Sequence, residues 1–311
     1  MHPSQPHWSQ TSARLFNACP RAWVQTYPPL VKSFETAPSP PFPTQRAPKT
    51  LDEAMVQGMR AAWMERVHDQ YLGKTWSPLY RQKRIQNHAL QALDDGKLRA
   101  PPPRITLALH RSFDQVHLLE RTLSMKPLFE GSPRRWAYFD RRESAVVDGT
   151  TLYAAPDVAI LHQNKWTLVR IQFRSPTEPS VGQELEHVLM VHWAMHQPGF
   201  PKDWSAYRVK VIRWTHQRWV EHHVLINPNH LNQAMGLVLH DIQEMKWMQR
   251  CAVADPSLAL IPLASAERSC VGCPFKARCP AKDGLLQAKR SQDEEASKQA
   301  QREETKSART A

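Results

Sequence analysis

The stretch "LYAAPDVAILHQNKWTLVRIQFRS", residues 152–175, contains two short apolar segments separated by the polar "HQNK". Both segments are rich in β-branched and aromatic residues, which is typical of strands joined by a turn. Similar strands are predicted on both sides of this stretch, at "RRWAYFD", "ESAVVDG", "AYRVKVIRWT" and "RWVEHHVLI". Amphipathic helices are predicted after the central strand pair and again from residue 227. The order of four strands, a helix, two strands and a helix predicts a mixed α/β core.

The rest of the chain is predicted to form four further segments around this core. Helical periodicity dominates the region before it, and a Pro-rich stretch at 37–48 interrupts that region as a loop or linker. The predicted segments are an N-terminal segment at 1–36, a mainly helical region at 37–132, the α/β core at 133–250, a cysteine-bearing segment at 251–286 and a charged tail at 287–311. The tail has no apolar face, so we expect it to be disordered or a frayed, solvated helix.

Composition limits the class of protein. The chain has 311 residues, 41% of them hydrophobic, which is enough to bury a sizeable core. It contains no run of about 18 apolar residues and no secretory h-region at its start, so we expect a cytoplasmic protein without a membrane partner. The formal net charge of +12 favours a polyanionic partner, most commonly nucleic acid. A basic surface that serves solubility is the alternative interpretation.

Three of the five cysteines lie in "CVGCPFKARC", with the spacing Cys270-x2-Cys273-x5-Cys279. In a reducing compartment such a cluster indicates metal binding or redox chemistry rather than disulfides. A four-ligand site needs one more thiol, and the remaining thiols are Cys19 and Cys251. Four thiolates suit either tetrahedral zinc or an iron–sulfur cluster, and spacing alone does not choose between them.

The segment "SARLFNACPRAW", residues 12–23, resembles the N-terminal signature of the RecB-like PD-(D/E)XK nucleases that carry an iron–sulfur cluster. This group includes the AddB subunit of bacterial helicase–nucleases and the exonucleases of CRISPR spacer acquisition. Its members supply one thiolate near the start and three near the end in a Cys-x2-Cys-x5-Cys segment. The resemblance therefore implies a restriction-endonuclease-like core and a [4Fe–4S] cluster on Cys19, Cys270, Cys273 and Cys279. Such a cluster would connect the two ends of the chain, and zinc remains the alternative.

The same resemblance implies a Mg²⁺ site, and here the chain departs from the family pattern. The "PD" at 156–157 makes Asp157 the candidate first ligand, because Mg²⁺ prefers oxygen ligands. The family has an acid and then a lysine on the next strand, but this chain has "LVRIQFRS" there. Strand alternation predicts Arg170, Gln172 and Arg174 on one face, and neither possible register supplies a second acid. We expect an arginine there to neutralise Asp157 or to contact a phosphate.

Two other family elements are altered, and an acid in a new position remains an alternative. Ala62 stands where many relatives have a metal-binding histidine, although His68 lies further along. Gln183 and His187 stand where relatives have Gln-x3-Tyr. The candidates for a migrated acid are Glu184 and Glu186 at the start of the next helix, with Glu143 as a weaker option.

These observations predict a DNA-binding protein of the RecB/AddB-like nuclease class, with cleavage lost or weak, acting in DNA repair, recombination or defence. A DNA end or single strand is expected in a basic groove, and a protein partner in a larger complex is possible. The candidate nucleic-acid contacts are Arg134, Arg135, Arg141, Arg142, Arg170 and Arg174. One alternative is an active Mg²⁺-dependent DNA exonuclease that uses Asp157 with a migrated acid. The other is a non-catalytic scaffold whose partner is a protein. A steep salt dependence of DNA affinity would favour the two DNA-binding hypotheses over this scaffold.

Overall fold

The structure is a computed structural model that describes residues 6–29, 48–131, 135–175, 180–259 and 261–310. In chain order its elements are β1 (His7–Ser9), α1 (Gln10–Ala18), α2 (Pro20–Thr26), α3 (Leu51–Tyr71), α4 (Pro78–Asp95), α5 (Pro102–Glu120), α6 (Lys126–Phe129), β2 (Trp136–Tyr138), β3 (Ala145–Val147), β4 (Thr150–Tyr153), β5 (Val158–His162), β6 (Lys165–Gln172), α7 (Val181–Met195), β7 (Tyr207–Thr215), β8 (Arg218–Val224), α8 (Pro228–Ala254) and α9 (Leu285–Thr310).

The chain divides into two compact units, and the larger comprises residues 38–147 and 153–234. This unit contains a five-stranded sheet with the order β2-β5-β6-β7-β8. Strands β6 and β7 are parallel and the other neighbours are antiparallel. A parallel pair needs a crossover connection, and α7 lies in the connection between β6 and β7. The mixed α/β architecture predicted from the sequence is confirmed.

Strand β6 has an apolar face and a polar face. Val169, Ile171 and Phe173 belong to the main apolar cluster, together with Met59 and Trp63 of α3. The alternate residues Arg170 and Gln172 are also buried, but they bond to side chains of α7. Burial on both faces explains why polar residues in the middle of this strand must find partners inside the protein.

The predicted strand "TLYAAPDVAIL" is two strands, because Pro156 lacks a backbone N–H and interrupts the ladder. Asp157 follows immediately, just before β5 begins at Val158. Its backbone N–H donates to the carbonyl of Val169 at 2.8 Å, and its carbonyl accepts from the N–H of Phe139 at 3.2 Å. The Asp157 carboxylate is therefore fixed between the end of β2 and the middle of β6.

The smaller unit comprises residues 1–37, 148–152 and 235–311, so it contains both ends of the chain. Long-range hydrogen bonds connect these ends. Arg21 Nη2 donates to the carbonyl of Ser257 at 2.7 Å, and the Ser265 N–H donates to the carbonyl of Ala18 at 3.1 Å. A small apolar cluster around Leu263 and Leu285 completes the packing of the C-terminal segment.

Of the two states expected for the tail at 287–311, a disordered segment or a solvated helix, the structure has a helix, α9, which runs from Leu285 to Thr310. Ala, Lys, Gln, Glu and Arg dominate this segment and are strong helix formers, so it forms a helix although it lacks an apolar face. The Pro-rich loop predicted at 37–48 lies, apart from its last residue, outside the described residues. Among the described helices, none combines the length and the apolar character that crossing a membrane requires.

Candidate functional site

The carboxylate of Asp157 is buried and bonded on both oxygens. Arg141 Nε donates to Oδ1 at 2.6 Å and Arg141 Nη2 donates to Oδ2 at 2.7 Å, which is the bidentate geometry of a strong arginine–carboxylate pair. The backbone N–H of Ile171 also donates to Oδ2, at 2.6 Å. Arg141 Nη2 donates further to the Ile171 carbonyl at 2.6 Å, so this arginine joins Asp157 to β6.

Arg170 is one of the two β6 residues, with Gln172, that were expected from the resemblance in place of a second acid, depending on the register. Its side chain is 1% exposed; Nη1 lies 3.7 Å from Asp157 Oδ1 and Nη2 lies 3.0 Å from Glu186 Oε1. The guanidinium thus lies between two carboxylates. Its Nε and Nη1 atoms are buried and make no hydrogen bond to any described residue. Asp157, Arg141, Arg170 and Glu186 are hereafter called the Asp157 centre.

Electrostatics keep this carboxylate ionised. Burial acts to raise the pKa of Asp157, but Arg141 and Arg170 outweigh burial and hold that pKa well below its usual range. A third arginine, Arg60 on α3, lies nearby. Repulsion from Arg141 and the cost of burial together lower the pKa of Arg60 to about 10. Three arginines therefore surround two carboxylates.

A second polar chain continues from Gln172. Arg213 Nε donates to Ser175 Oγ at 2.8 Å, and Ser175 Oγ donates to Gln172 Oε1 at 3.1 Å. The amide nitrogen of Gln172 then lies 3.2 Å from His187 Nε2, so that ring nitrogen must accept and the ring is neutral. Burial, followed by repulsion from Arg170 and Arg213, lowers the pKa of His187 to about 3.

This arrangement differs from the chemistry of a Mg²⁺ nuclease site. A magnesium site needs carboxylate oxygens that are open to the ion and its waters. Arginine N–H groups and a backbone N–H cover both oxygens of Asp157, and Arg170 binds the migrated-acid candidate Glu186. Among the described residues, no group of three or more His, Cys, Asp or Glu side chains is arranged to hold a metal ion.

The other predicted site residues lie away from Asp157 or perform local roles. Gln183 is a helix-capping residue, because its Oε1 accepts from the Ser180 N–H at 3.0 Å. Glu184 is exposed, and Glu143 accepts through Oε1 from the Asp140 N–H. His68 Nδ1 lies 2.5 Å from the Tyr138 hydroxyl.

The predicted nucleic-acid contacts are also dispersed. Arg174 and Arg135 are exposed, and Arg135 lies over the ring of Trp166 at 5.6 Å. Arg142 pairs with Asp140 on the surface. Arg170 is inaccessible to a phosphate in this structure, which corrects the expectation of a groove around Arg170, Gln172 and Arg174. Strand β6 ends at Gln172, and Arg170 and Gln172 face inward, where they bond to side chains of α7. Arg134 lies outside the described residues.

The four candidate thiols lie in one unit of the structure. All five cysteines are free, and Cys19, Cys270 and Cys279 pack against the cluster around Leu263 and Leu285. Burial raises the pKa of Cys19, and the thiols of Cys273, Cys279 and Cys270 raise it further. The donor set fits a four-thiolate centre in type and in neighbourhood, although the thiols are not in ligating geometry.

Sequence reasoning missed Arg60, Ser175 and Arg213. Arg213 lies opposite Gln172 in the parallel register of β6 and β7, and that register was not derivable from the sequence. Arg60 stands on a helix with an apolar face, and its approach to Asp157 depends on how α3 packs against the sheet.

Comparisons with known proteins add little to this geometry. Neither the protein-family models nor the curated proteins include a match to this chain. Among solved structures the chain is similar to one described as the crystal structure of SSO0001. That match has 15% identity and a TM-score of 0.29, and it covers 73% of this chain and 98% of the other. A likeness at this TM-score supports no argument about fold or function.

Proposed function

We propose that this chain is a DNA-binding protein with a RecB/AddB-like PD-(D/E)XK core whose metal site has been replaced by an internal ion-pair network. It would act as a non-cutting component in DNA repair, recombination or defence. The observation that supports the proposal is the Asp157 centre, in which Arg141 closes the carboxylate that a nuclease would use for Mg²⁺. Arg170 stands in place of the second acid and is itself paired.

The replacement has a physical consequence for catalysis. Metal-assisted phosphodiester hydrolysis needs an ion that generates the attacking hydroxide and stabilises the developing charge. Guanidinium groups stabilise charge on a phosphate, but they neither lower the pKa of a bound water to neutrality nor act as a general base. Arginines in this position therefore favour holding DNA over cutting it.

The DNA-binding part of the proposal is supported by charge. The chain carries a net charge of +12, and Arg135, Arg174 and Arg208 of the larger unit are exposed. The resemblance at the cysteine segments also supports a [4Fe–4S] cluster on Cys19, Cys270, Cys273 and Cys279. When bound, that cluster would supply a structural connection between the two ends of the chain.

The test combines a nuclease assay with binding measurements on the same sample. We expect no cleavage of single-stranded or duplex DNA in Mg²⁺ or Mn²⁺, and DNA affinity that falls steeply with salt. Cleavage by the wild type that disappears in Asp157→Ala would establish the exonuclease instead. An absence of DNA affinity at low salt would contradict both DNA-binding alternatives and leave the protein-binding scaffold.

A further inference from the structure

A cavity of about 420 Å³ opens beside the Asp157 centre, and arginines dominate its polar wall. Its lining combines the α3 residues Arg60, Ala61 and Met64 with the segment from Phe139 to Arg142 and with Asp157. All of these residues belong to the larger unit. The cavity is therefore a defined space at which several cationic groups converge.

The two carboxylates of this wall are already neutralised. Asp157 is held in the bidentate pair with Arg141, and Asp140 is held by Arg142, whose Nη2 lies 2.5 Å from Asp140 Oδ2. Neither carboxylate presents a free negative charge to a ligand. An anion that enters the cavity consequently meets little repulsion from them.

The cationic side of the wall is not neutralised to the same extent. Three positive charges lie on or beside this wall, on Arg60, Arg141 and Arg170. Only two negative charges oppose them, on Asp157 and Glu186. The charges of Arg142 and Asp140 cancel each other. Arg60 forms no hydrogen bond or ion pair with any described residue. Repulsion from Arg141 is the largest influence that lowers the pKa of Arg60. This surplus of one positive charge is what a bound anion would compensate.

The donors that remain free match a phosphate monoester. Among the described residues, none accepts from the guanidinium of Arg60 or from Arg141 Nη1, whereas Arg141 Nε and Nη2 are used by Asp157 and the Ile171 carbonyl. A terminal phosphate offers three free oxygens and a charge between about −1.5 and −2, whereas a phosphodiester carries one negative charge. Arg60 can offer a parallel N–H pair to such a group, and Arg141 can add the N–H groups of Nη1.

We propose that Arg60 and Arg141 form a binding site for a phosphate monoester in this cavity, and that its ligand is the terminal phosphate of a DNA strand. The assignment of the source rests on the proposed DNA-binding function, whereas the site itself rests on the cavity and on Arg60, which has no partner among the residues that the structure describes. Arg60 is the recognition residue. Arg141 contributes a second donor while Asp157 fixes its orientation.

The test measures the affinity for one fluorescent single strand that carries a 5′-phosphate, a 3′-phosphate or hydroxyl groups at both ends. We expect the wild type to bind a strand with one of the phosphorylated ends about tenfold more tightly than the hydroxyl form. Arg60→Gln should abolish this difference, so that the ratio of the two affinities falls to about one. Arg60→Lys should retain part of it, because the charge stays while the bidentate geometry is lost. Arg208→Gln is the matched control, since Arg208 is exposed on β7 outside the cavity and should keep the full ratio.

The melting temperature serves as the control for correct folding. We expect it to be equal or higher in Arg60→Gln, because the substitution removes the repulsion between Arg60 and Arg141. Equal affinity of the wild type for all three strands, or an unchanged ratio in Arg60→Gln, would overturn the assignment to a strand end.

Inorganic phosphate and a mononucleotide are tested separately by calorimetry. If they bind the wild type and not Arg60→Gln while no strand binds, the site stands, its ligand is a small phosphate compound, and the DNA-binding function fails. If strands bind with no dependence on Arg60 or on a terminal phosphate, and phosphate does not bind, the site fails and DNA binding stands.

Discussion

The Asp157 centre and the cysteine segment both gather chemically reactive side chains, but they differ in how those side chains are satisfied. In the Asp157 centre each carboxylate is bonded to an arginine, and the group is closed within the protein. The four candidate thiols, those of Cys19, Cys270, Cys273 and Cys279, share a neighbourhood without bonding to one another. Carboxylates that are paired with arginines leave no oxygen open to a metal ion, whereas four neighbouring free thiols are an arrangement that a metal centre would complete.

The largest expected effect concerns the cysteine segment. Replacement of one proposed ligand, Cys279→Ser, should abolish iron binding with its broad absorption near 400 nm, and it should lower the melting temperature by about 10 °C or more. The reason is that a metal centre on both chain ends contributes its binding free energy to folding. The measurement is metal analysis, visible spectroscopy and thermal unfolding of anaerobically purified protein.

Cys251→Ser is the matched control, because Cys251 lies at the C-terminal end of α8 and is not a proposed ligand. It should leave both the absorption and the melting temperature unchanged. A wild type that contains one zinc and no iron would keep the four-thiolate site while removing support for the iron–sulfur family. A folded wild type without any metal would contradict the site itself.

The second effect concerns the Asp157 centre. Asp157→Ala should destabilise the protein by about 3–5 kcal/mol, because it leaves the buried Arg170 without one of its two carboxylates and Arg141 without its bidentate partner. Denaturant unfolding followed by circular dichroism measures the change. Asp114→Ala on the exposed face of α5 is the control and should lie within about 0.5 kcal/mol of the wild type. A similarly small change in Asp157→Ala would show that the network does not support the fold.

A third effect depends on pH and concerns His187. Its pKa in the folded protein, about 3, lies below the value of about 6.5 expected in the unfolded chain, so the unfolded state binds the proton more readily. Stability should therefore be complete above about pH 6.5 and should fall as the pH decreases from there toward 3. From pH 7 to pH 4.5 the loss attributable to His187 is about 2.5 kcal/mol.

The Asp157 centre does not interfere in this window. The pKa of Asp157 is lower in the folded protein than in the unfolded chain, where it is about 3.9, so Asp157 contributes stability above about pH 3.9. That contribution is lost only as the pH falls below this value. We expect His187→Gln to flatten the curve of unfolding free energy between pH 7 and pH 4.5. His223→Gln, at an exposed position of β8, should leave the slope as it is in the wild type. An identical slope in His187→Gln would assign the pH dependence to other groups.

The sequence predicted the elements well and the side-chain partners less well. The period of apolar residues was sufficient to locate α3, and alternation was sufficient to place Val169 and Ile171 in the core. Alternation also put Arg170 and Gln172 together on the polar face of β6. Their burial was not predictable, because it depends on α7 bringing Glu186 and His187 over that face. The position of Arg60 likewise depends on helix packing, which leaves no local pattern in the sequence.

The smallest expected effect separates two adjacent arginines. Arg142 pairs with Asp140 on the surface, where the two side chains are 67% and 46% exposed, while Arg141 makes the buried pair with Asp157. Hydrogen bonds from Arg142 lower the pKa of Asp140, but solvent screening weakens such an exposed pair. Arg142→Gln should therefore change the unfolding free energy by less than about 0.5 kcal/mol, whereas Arg141→Gln should cost several times more because it leaves Asp157 with fewer partners. Both variants remove one positive charge from neighbouring positions, so net charge cannot explain a difference between them. Equal losses of unfolding free energy would mean that the ion pairs of this segment act through overall charge. The Arg141–Asp157 pair and the exposed Arg142–Asp140 pair would then not differ in strength.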